Sequence, residues 1–336
     1  MMRKIIKLGD SYAMSLPKGW AQRFSLEKSK EIEIEENSDG TLNITAGKNT
    51  AQESEETIYI EKEESMEKIY AKIYRAYIQG FRKIALTGHF DTNQFEVISE
   101  AQKNLTGLEV IEQSGKRIVF KDFIHLEDVD IEKFTSSIFN HLISMATEIT
   151  EDVSKDIETG DKVRDMDCAV DRTTNLIFRC LNLALRDSSY MKKIGKSTHE
   201  LMITSRIIKN LEKIGNMLVG ISYYMNEKQT PRMKEYGYVL FKRDRKINSY
   251  TIEFLKNWIE YIKPIRDALF NRKTDVAISI YTGRRSRKTM NIIFKMQDEL
   301  KEKRAKVNIE YIGKLESHFE PTISLSYDIA KDIIVL

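Results

Sequence analysis

Apolar and polar residues alternate through the first part of the chain, then recur every three or four positions from Ile131 onward. A period of two marks half-buried strands and a period near 3.6 marks amphipathic helices, so the architecture changes along the chain. Arg3 to Lys7 reads as a short strand, Gly9-Asp10-Ser11 as a turn, and Ala13 to Leu16 as a second strand stopped by Pro17. Gly19 to Phe24 has room for one helical turn, and Glu31 to Glu35 alternates Glu with Ile. Asn37-Ser38-Asp39-Gly40 is a hairpin turn leading into a return strand, Thr41 to Thr45. Four short strands bury too little apolar area to stand alone, so this unit is expected to pair with a copy of itself.

Gly47 to Glu56 is polar and reads as a linker. A small α/β unit follows: strand Thr57–Ile60, helix Met66–Phe81, strand Lys83–Leu86, helix Asn93–Asn104 and a closing pair, Leu108–Ile111 and Arg117–Phe120. Beyond it, Ile131, Phe134, Ile138, Leu142, Met145, Ile149 and Val153 form one apolar stripe. Thr159-Gly160-Asp161 interrupts the pattern, and two further stripes run Val163–Ala184 and Ile203–Ile221. After Thr230-Pro231 three more helices are expected, at about 234–270 with a bend at Pro264, at 275–304 and at 308–333. The predicted fold is multidomain: a β head (1–48), an α/β connector (56–124) and an all-α body (127–336) made of two three-helix repeats, 127–228 and 231–336.

Composition adds little until charge is followed along the chain. The net charge is only +3, yet residues 1–28 hold Arg3, Lys4, Lys7, Lys18, Arg23 and Lys28 against Asp10 and Glu27. Residues 29–64 then carry eleven acidic side chains against Lys30, Lys48 and Lys62. A basic head beside an acidic strand and linker suits a polyanion contact at the head. Cys168 and Cys180 have neither zinc-knuckle nor disulfide-framework spacing and read as buried thiols. Without an apolar leader or a membrane-length apolar run, the expected location is the cytoplasm. The histidines (His89, His125, His141, His199, His318) show no metal spacing, and no nucleophile elbow, P-loop or dinucleotide glycine pattern occurs. No enzyme activity is expected.

The order Arg3-Lys4-Ile5-Ile6-Lys7-Leu8-Gly9, Ser15-Leu16-Pro17-Lys18, Trp20 and the Asp39-Gly40 hairpin resembles the AbrB/SpoVT swapped-hairpin DNA-binding domain over residues 3–46. The resemblance implies two interlocked copies with basic loops on one face, contacting double-stranded DNA through Arg3, Lys4, Lys7, Ser11, Lys18 and Arg23. Asp10 and Ala21-Gln22 stand where that family commonly has arginines, which weakens base-specific readout rather than phosphate binding.

The helical part resembles PhoU, the phosphate-uptake regulator. The connector, with Ala76-Tyr77-Ile78-Gln79-Gly80-Phe81 and Gly107-Leu108-Glu109-Val110-Ile111, is similar to the joining segment of archaeal members. That resemblance implies Glu/Asp-x-x-x-Asp motifs whose carboxylates share a helical face and hold hard metal ions. Asp167 and Asp171 keep the motif, whereas Glu212–Asn216, Asp244–Asn248 and Glu320–Ser324 have each lost the closing carboxylate. The expectation is at most one weakly bound ion, at Asp167, Asp171 and Glu212. Arg284, Arg285, Arg287 and Lys288 form the densest basic cluster, which reads as a solvated helix start or a secondary anion patch.

The combined expectation is a homodimeric, DNA-binding transcription regulator of phosphate uptake, with the helical body as sensor or partner-binding module. The alternative is an adaptor whose body docks on a phosphate transporter component or a kinase while the head only dimerises.

Overall fold

The structure is a computed structural model that describes residues 3–29, 31–36, 40–46, 55–226, 228–235, 237–238, 245–283, 291–295 and 309–336. The chain divides into two units, 1–54 and 55–336.

The first unit holds two separate antiparallel hairpins, β1 (Ile5–Leu8) with β2 (Ser11–Met14) and β3 (Ile32–Glu36) with β4 (Leu42–Ala46), and the short helices α1 (Lys18–Arg23) and α2 (Leu26–Ser29). The second strand begins earlier than the sequence pattern suggests. Gly9 adopts φ +61, a left-handed conformation that costs a side-chain-bearing residue, and so closes a two-residue turn with Asp10. Ser11 pairs with Leu8 immediately after it. Of the expected Asn37–Gly40 turn, residues 37–39 lie outside the described residues.

The second unit begins with a four-stranded sheet ordered β5-β6-β8-β7, made of β5 (Glu55–Ile60), β6 (Lys83–Gly88), β7 (Leu108–Gln113) and β8 (Arg117–Asp122). The β5–β6 pair is parallel and the others antiparallel, with a register shift between Val110 and Glu112. Helices α3 (Met66–Ile78) and α4 (Thr92–Asn104) cover the sheet. Ser65 caps α3, and Asp91 with Gln94 forms a full capping box on α4. The apolar core here joins Ile69, Ile73 and Tyr77 of α3 to Ile84, Leu86 and Phe120 of the sheet.

Long helices follow: α5 (Ile131–Ser154), α6 (Gly160–Arg186) and α8 (Thr198–Tyr224), with α7 (Ser188–Ile194) between the last two. α7 has no counterpart in the sequence reading, because seven residues are too few to show a period. The helix expected to start at 234 is instead a short α9 (Pro231–Glu235), followed by Gly237 at φ +73, and then α10 (Arg245–Phe270). α11 (Thr274–Thr282) ends before Gly283, well short of residue 304, although 291–295 are again helical. α12 (Ile309–Ile334) completes the body and, like α10, contains an internal proline.

One apolar core runs through this body from Leu126 to Ile333, so the two sets of helices share a single interior. Phe254 and Phe319 stack at 3.9 Å between ring centroids, and the Trp258 indole donates to the Ser326 hydroxyl at 3.0 Å. These contacts tie α10 to α12 deep inside the body.

Candidate nucleic-acid interface

Arg3 and Lys4 precede β1, Lys7 lies within it, Ser11 opens β2, and Lys18 and Arg23 are the two ends of α1. All of these are exposed. The register decides which can act together. Paired residues share a face, so Ile5, Lys7, Tyr12 and Met14 line one side of the hairpin, and Ile6, Leu8, Ser11 and Ala13 line the other. Lys7 and Ser11 therefore point to opposite sides. Lys18 and Arg23 are five positions apart on α1, which turns them roughly 140° from one another. A single head thus does not gather the expected contact set on one face.

The same hairpins expose large apolar side chains on both faces: Ile5 is 69% accessible, Leu8 65% and Tyr12 74%, and Ile34 and Leu42 are more than half exposed. No head side chain among those described is buried. Apolar area gains roughly 25 cal/mol per Å² when removed from water, so this surface strongly favours a cover. Trp20 of α1 and Phe24 just after it contact each other at 5.5 Å between ring centroids, and neither is buried.

The body carries the remaining expected residues. Asp167 is fully buried on α6, where its Oδ2 accepts from the Arg164 guanidinium at 2.6 Å. The same guanidinium lies 3.5 Å from Asp171. Oδ1 of Asp167 has no hydrogen-bond partner. It packs against Gly215 of α8, where even a Cβ would clash with it, so the glycine permits the close approach of the two helices. Burial, and secondarily the charge of Asp171, pushes the Asp167 carboxyl up to about 7. Glu212 bonds to Lys209 at 2.6 Å and accepts from Asn216 at 3.3 Å.

This donor set does not fit a divalent ion. The Arg164 guanidinium already sits against both aspartates and would repel a second cation, Lys209 engages Glu212, and no group of three or more His, Cys, Asp or Glu among the described residues is arranged to hold a metal. Of the weaker motifs, Asn248 is buried while Glu320 and Ser324 are exposed on α12. Asp244 and the patch at Arg284, Arg285, Arg287 and Lys288 lie outside the described residues.

Two features escaped the sequence reading. Arg164 stands three and seven positions before the aspartates it serves, a helical spacing that was available to find it. The other had no such signal. Arg179 of α6 is 1% exposed and donates to Asp122 at the end of β8 at 2.9 Å and to the Phe81 carbonyl at 3.0 Å. Its guanidinium also lies 4.5 Å from the Tyr77 ring centre. This buried ion pair joins the α/β connector to the helical body across 57 positions of sequence. No helix among the described residues is long and apolar enough to cross a membrane.

Residues 5–51 match a family model described as antidote-toxin recognition MazE, bacterial antitoxin. No curated protein and no solved structure matches the chain. The head is thus similar to a MazE/AbrB-like domain, a kind that typically binds DNA and dimerises and that suggests a DNA-binding or antitoxin-type regulator.

Proposed function

We propose that the chain is a non-enzymatic, homodimeric DNA-binding regulator. The observation that carries this reading is the head: it exposes Ile5, Leu8 and Tyr12 beside Arg3, Lys4 and Lys7, and it matches an antitoxin-type domain. A second copy is the cover that suits these hairpins, because a two-fold contact sets the same apolar patch of each chain against the other. Pairing also answers the scattering of the basic residues. Side chains that diverge within one head converge across two, and their cations displace counterions from duplex phosphates.

The finer part of the proposal is that the regulated process is phosphate uptake, with the helical body as sensor or partner-binding module. It is supported by the PhoU-like sequence features of the body, Asp167 and Asp171 foremost. The adaptor alternative shares the body and differs in the head.

Fluorescence anisotropy with duplex DNA over a salt series separates them. A regulator binds with an affinity that falls steeply as salt rises. Replacing Arg3, Lys4 and Lys7 with Ala removes six cations per dimer and flattens the log–log salt slope by about 5. Wild-type binding by the triple variant would show that this strand is not the contact surface. An adaptor shows no DNA binding at all.

A further inference from the structure

A cleft of about 720 Å³ opens between the α/β connector and the helical body, within the size range of pockets that hold small organic ligands. Each connector helix presents a stripe at i, i+3 and i+7: Glu67, Tyr70 and Tyr74 from α3, and Val97, Glu100 and Asn104 from α4. Arg164, Asp171, Thr174 and Phe178 of α6 face them, with Lys209 and Glu212 of α8. We propose that this cleft binds an organic cation, an ammonium group carried on an apolar or aromatic body.

Charge argues first. The lining holds five carboxylates (Glu67, Glu100, Asp171, Glu212 and Glu235) against Arg164 and Lys209. Both cations are engaged within the body wall, Arg164 by Asp167 and Asp171 and Lys209 by Glu212. Glu67, Glu100 and Glu235 have no ion-pair partner among the described residues. The unbalanced charge is negative, and two of these three carboxylates belong to the connector wall. An anion such as phosphate is disfavoured there.

Aromatic and polar groups narrow the ligand further. The Tyr70 and Tyr74 rings lie nearly parallel, 14° apart with centroids at 6.4 Å, on the same helical face as Glu67. Half-buried aromatic faces beside a carboxylate attract a cation with a poorly hydrated body, each contact being strengthened by desolvation. Both tyrosines are raised above the ordinary phenol range, chiefly by burial, and each also feels charges across the cleft: Asp171 at Tyr70, Lys209 and Glu212 at Tyr74. The two walls therefore face each other closely enough for one ligand to touch both. At the cleft's wall Thr174 is 2% exposed, and its Oγ1 has no hydrogen-bond partner. A buried hydroxyl left alone costs stability, and an ammonium N–H satisfies it. A bare metal ion is a poor fit, because the carboxylates come from separate elements and no group of three or more His, Cys, Asp or Glu among the described residues is arranged to hold one.

The experiment is isothermal titration of the full-length protein with benzylamine hydrochloride, whose ammonium carries N–H donors, with benzyl alcohol as the uncharged comparator and manganese chloride as the metal arm. No DNA is present, so the result stands apart from whether the head binds DNA. Expected is saturable binding of the ammonium salt, weakened roughly tenfold or more by Tyr74→Leu and by the Glu67→Gln/Glu100→Gln pair. Both tyrosine and glutamate changes lie at the half-buried or exposed edge of α3 and α4, and unchanged melting temperatures establish that the variants are folded. Three results overturn the proposal: no heat with the ammonium salt at millimolar concentration, equal binding of benzyl alcohol, or manganese binding that the same Glu→Gln pair abolishes.

Discussion

Replacing Arg179 by Met tests whether the buried ion pair fastens the α/β connector to the helical body. Met keeps much of the side chain's stem but removes the charge and every donor. Asp122, itself 1% exposed, is then left with the Ile124 backbone N–H on Oδ1 at 3.0 Å and nothing on Oδ2. The Phe81 carbonyl loses its 3.0 Å partner as well. Breaking a buried pair from one side costs about 3–5 kcal/mol, because the surviving charge is uncompensated. At about 2–4 °C per kcal/mol for a domain of some size, the melting temperature of the full chain falls by roughly 6–20 °C. The double variant Arg179→Met/Asp122→Leu removes both charges, so it recovers most of the loss and lands within about 1–2 kcal/mol of the parent. Circular dichroism melts of the parent, both single variants and the double complete the cycle. A single Arg179→Met variant that melts within about 2 °C of the parent would refute the reasoning, as would a double variant no better than the single one.

Other outcomes follow from the same structure. Residues 1–54 expressed alone sediment as a folded dimer; a folded monomer would sink the view that the exposed hairpin faces are covered by a second copy. Asp167→Asn changes the pH dependence of stability in a definite direction. The wild-type carboxyl is raised from 3.8 to about 7 by burial, so the folded chain holds its proton while the unfolded chain releases it as pH rises from about 4 to 7. Wild-type stability therefore falls across that window, by up to roughly 4 kcal/mol. Asn does not ionise, so the variant's melting temperature relative to wild type climbs from pH 4.5 to pH 8, and parallel profiles would show that the aspartate is not held protonated.

The long helices were legible because their periods are long. A stripe such as Ile131 to Val153 repeats through six turns, and its ends are marked by Asp130 as a cap and by the loop before Thr159. Short elements carry too few repeats for a period to stand out. That is why α7 was missed, why α9 was merged into α10, and why β2 was placed two residues late. In β2 the deciding factor was a conformation, Gly9 at φ +61, and not a pattern of burial. The order of the sheet was equally hidden. β8 lies between β6 and β7, and an alternating strand announces its faces but not its neighbours.

Functional groups divide along the same line. The head's basic residues are close in sequence, so their charge was visible at once, but the register that sends Lys7 and Ser11 to opposite faces was not. Asp167 and Asp171 suggested metal as long as only their i, i+4 spacing was read. Arg164 changes that reading, because a guanidinium already in contact with both side chains repels a metal ion placed between them. The cleft is the extreme case. Glu67, Glu100, Asp171, Glu212 and Glu235 sit on five different helices, and no spacing in the chain relates them. Their convergence follows from the docking of the connector on α6, which Arg179, next in sequence to the cleft residue Phe178, holds together with Asp122. The ion pair and the cleft are thus two consequences of one packing event. A ligand that bridges the cleft and a mutation that breaks the pair act on the same joint, in opposite directions.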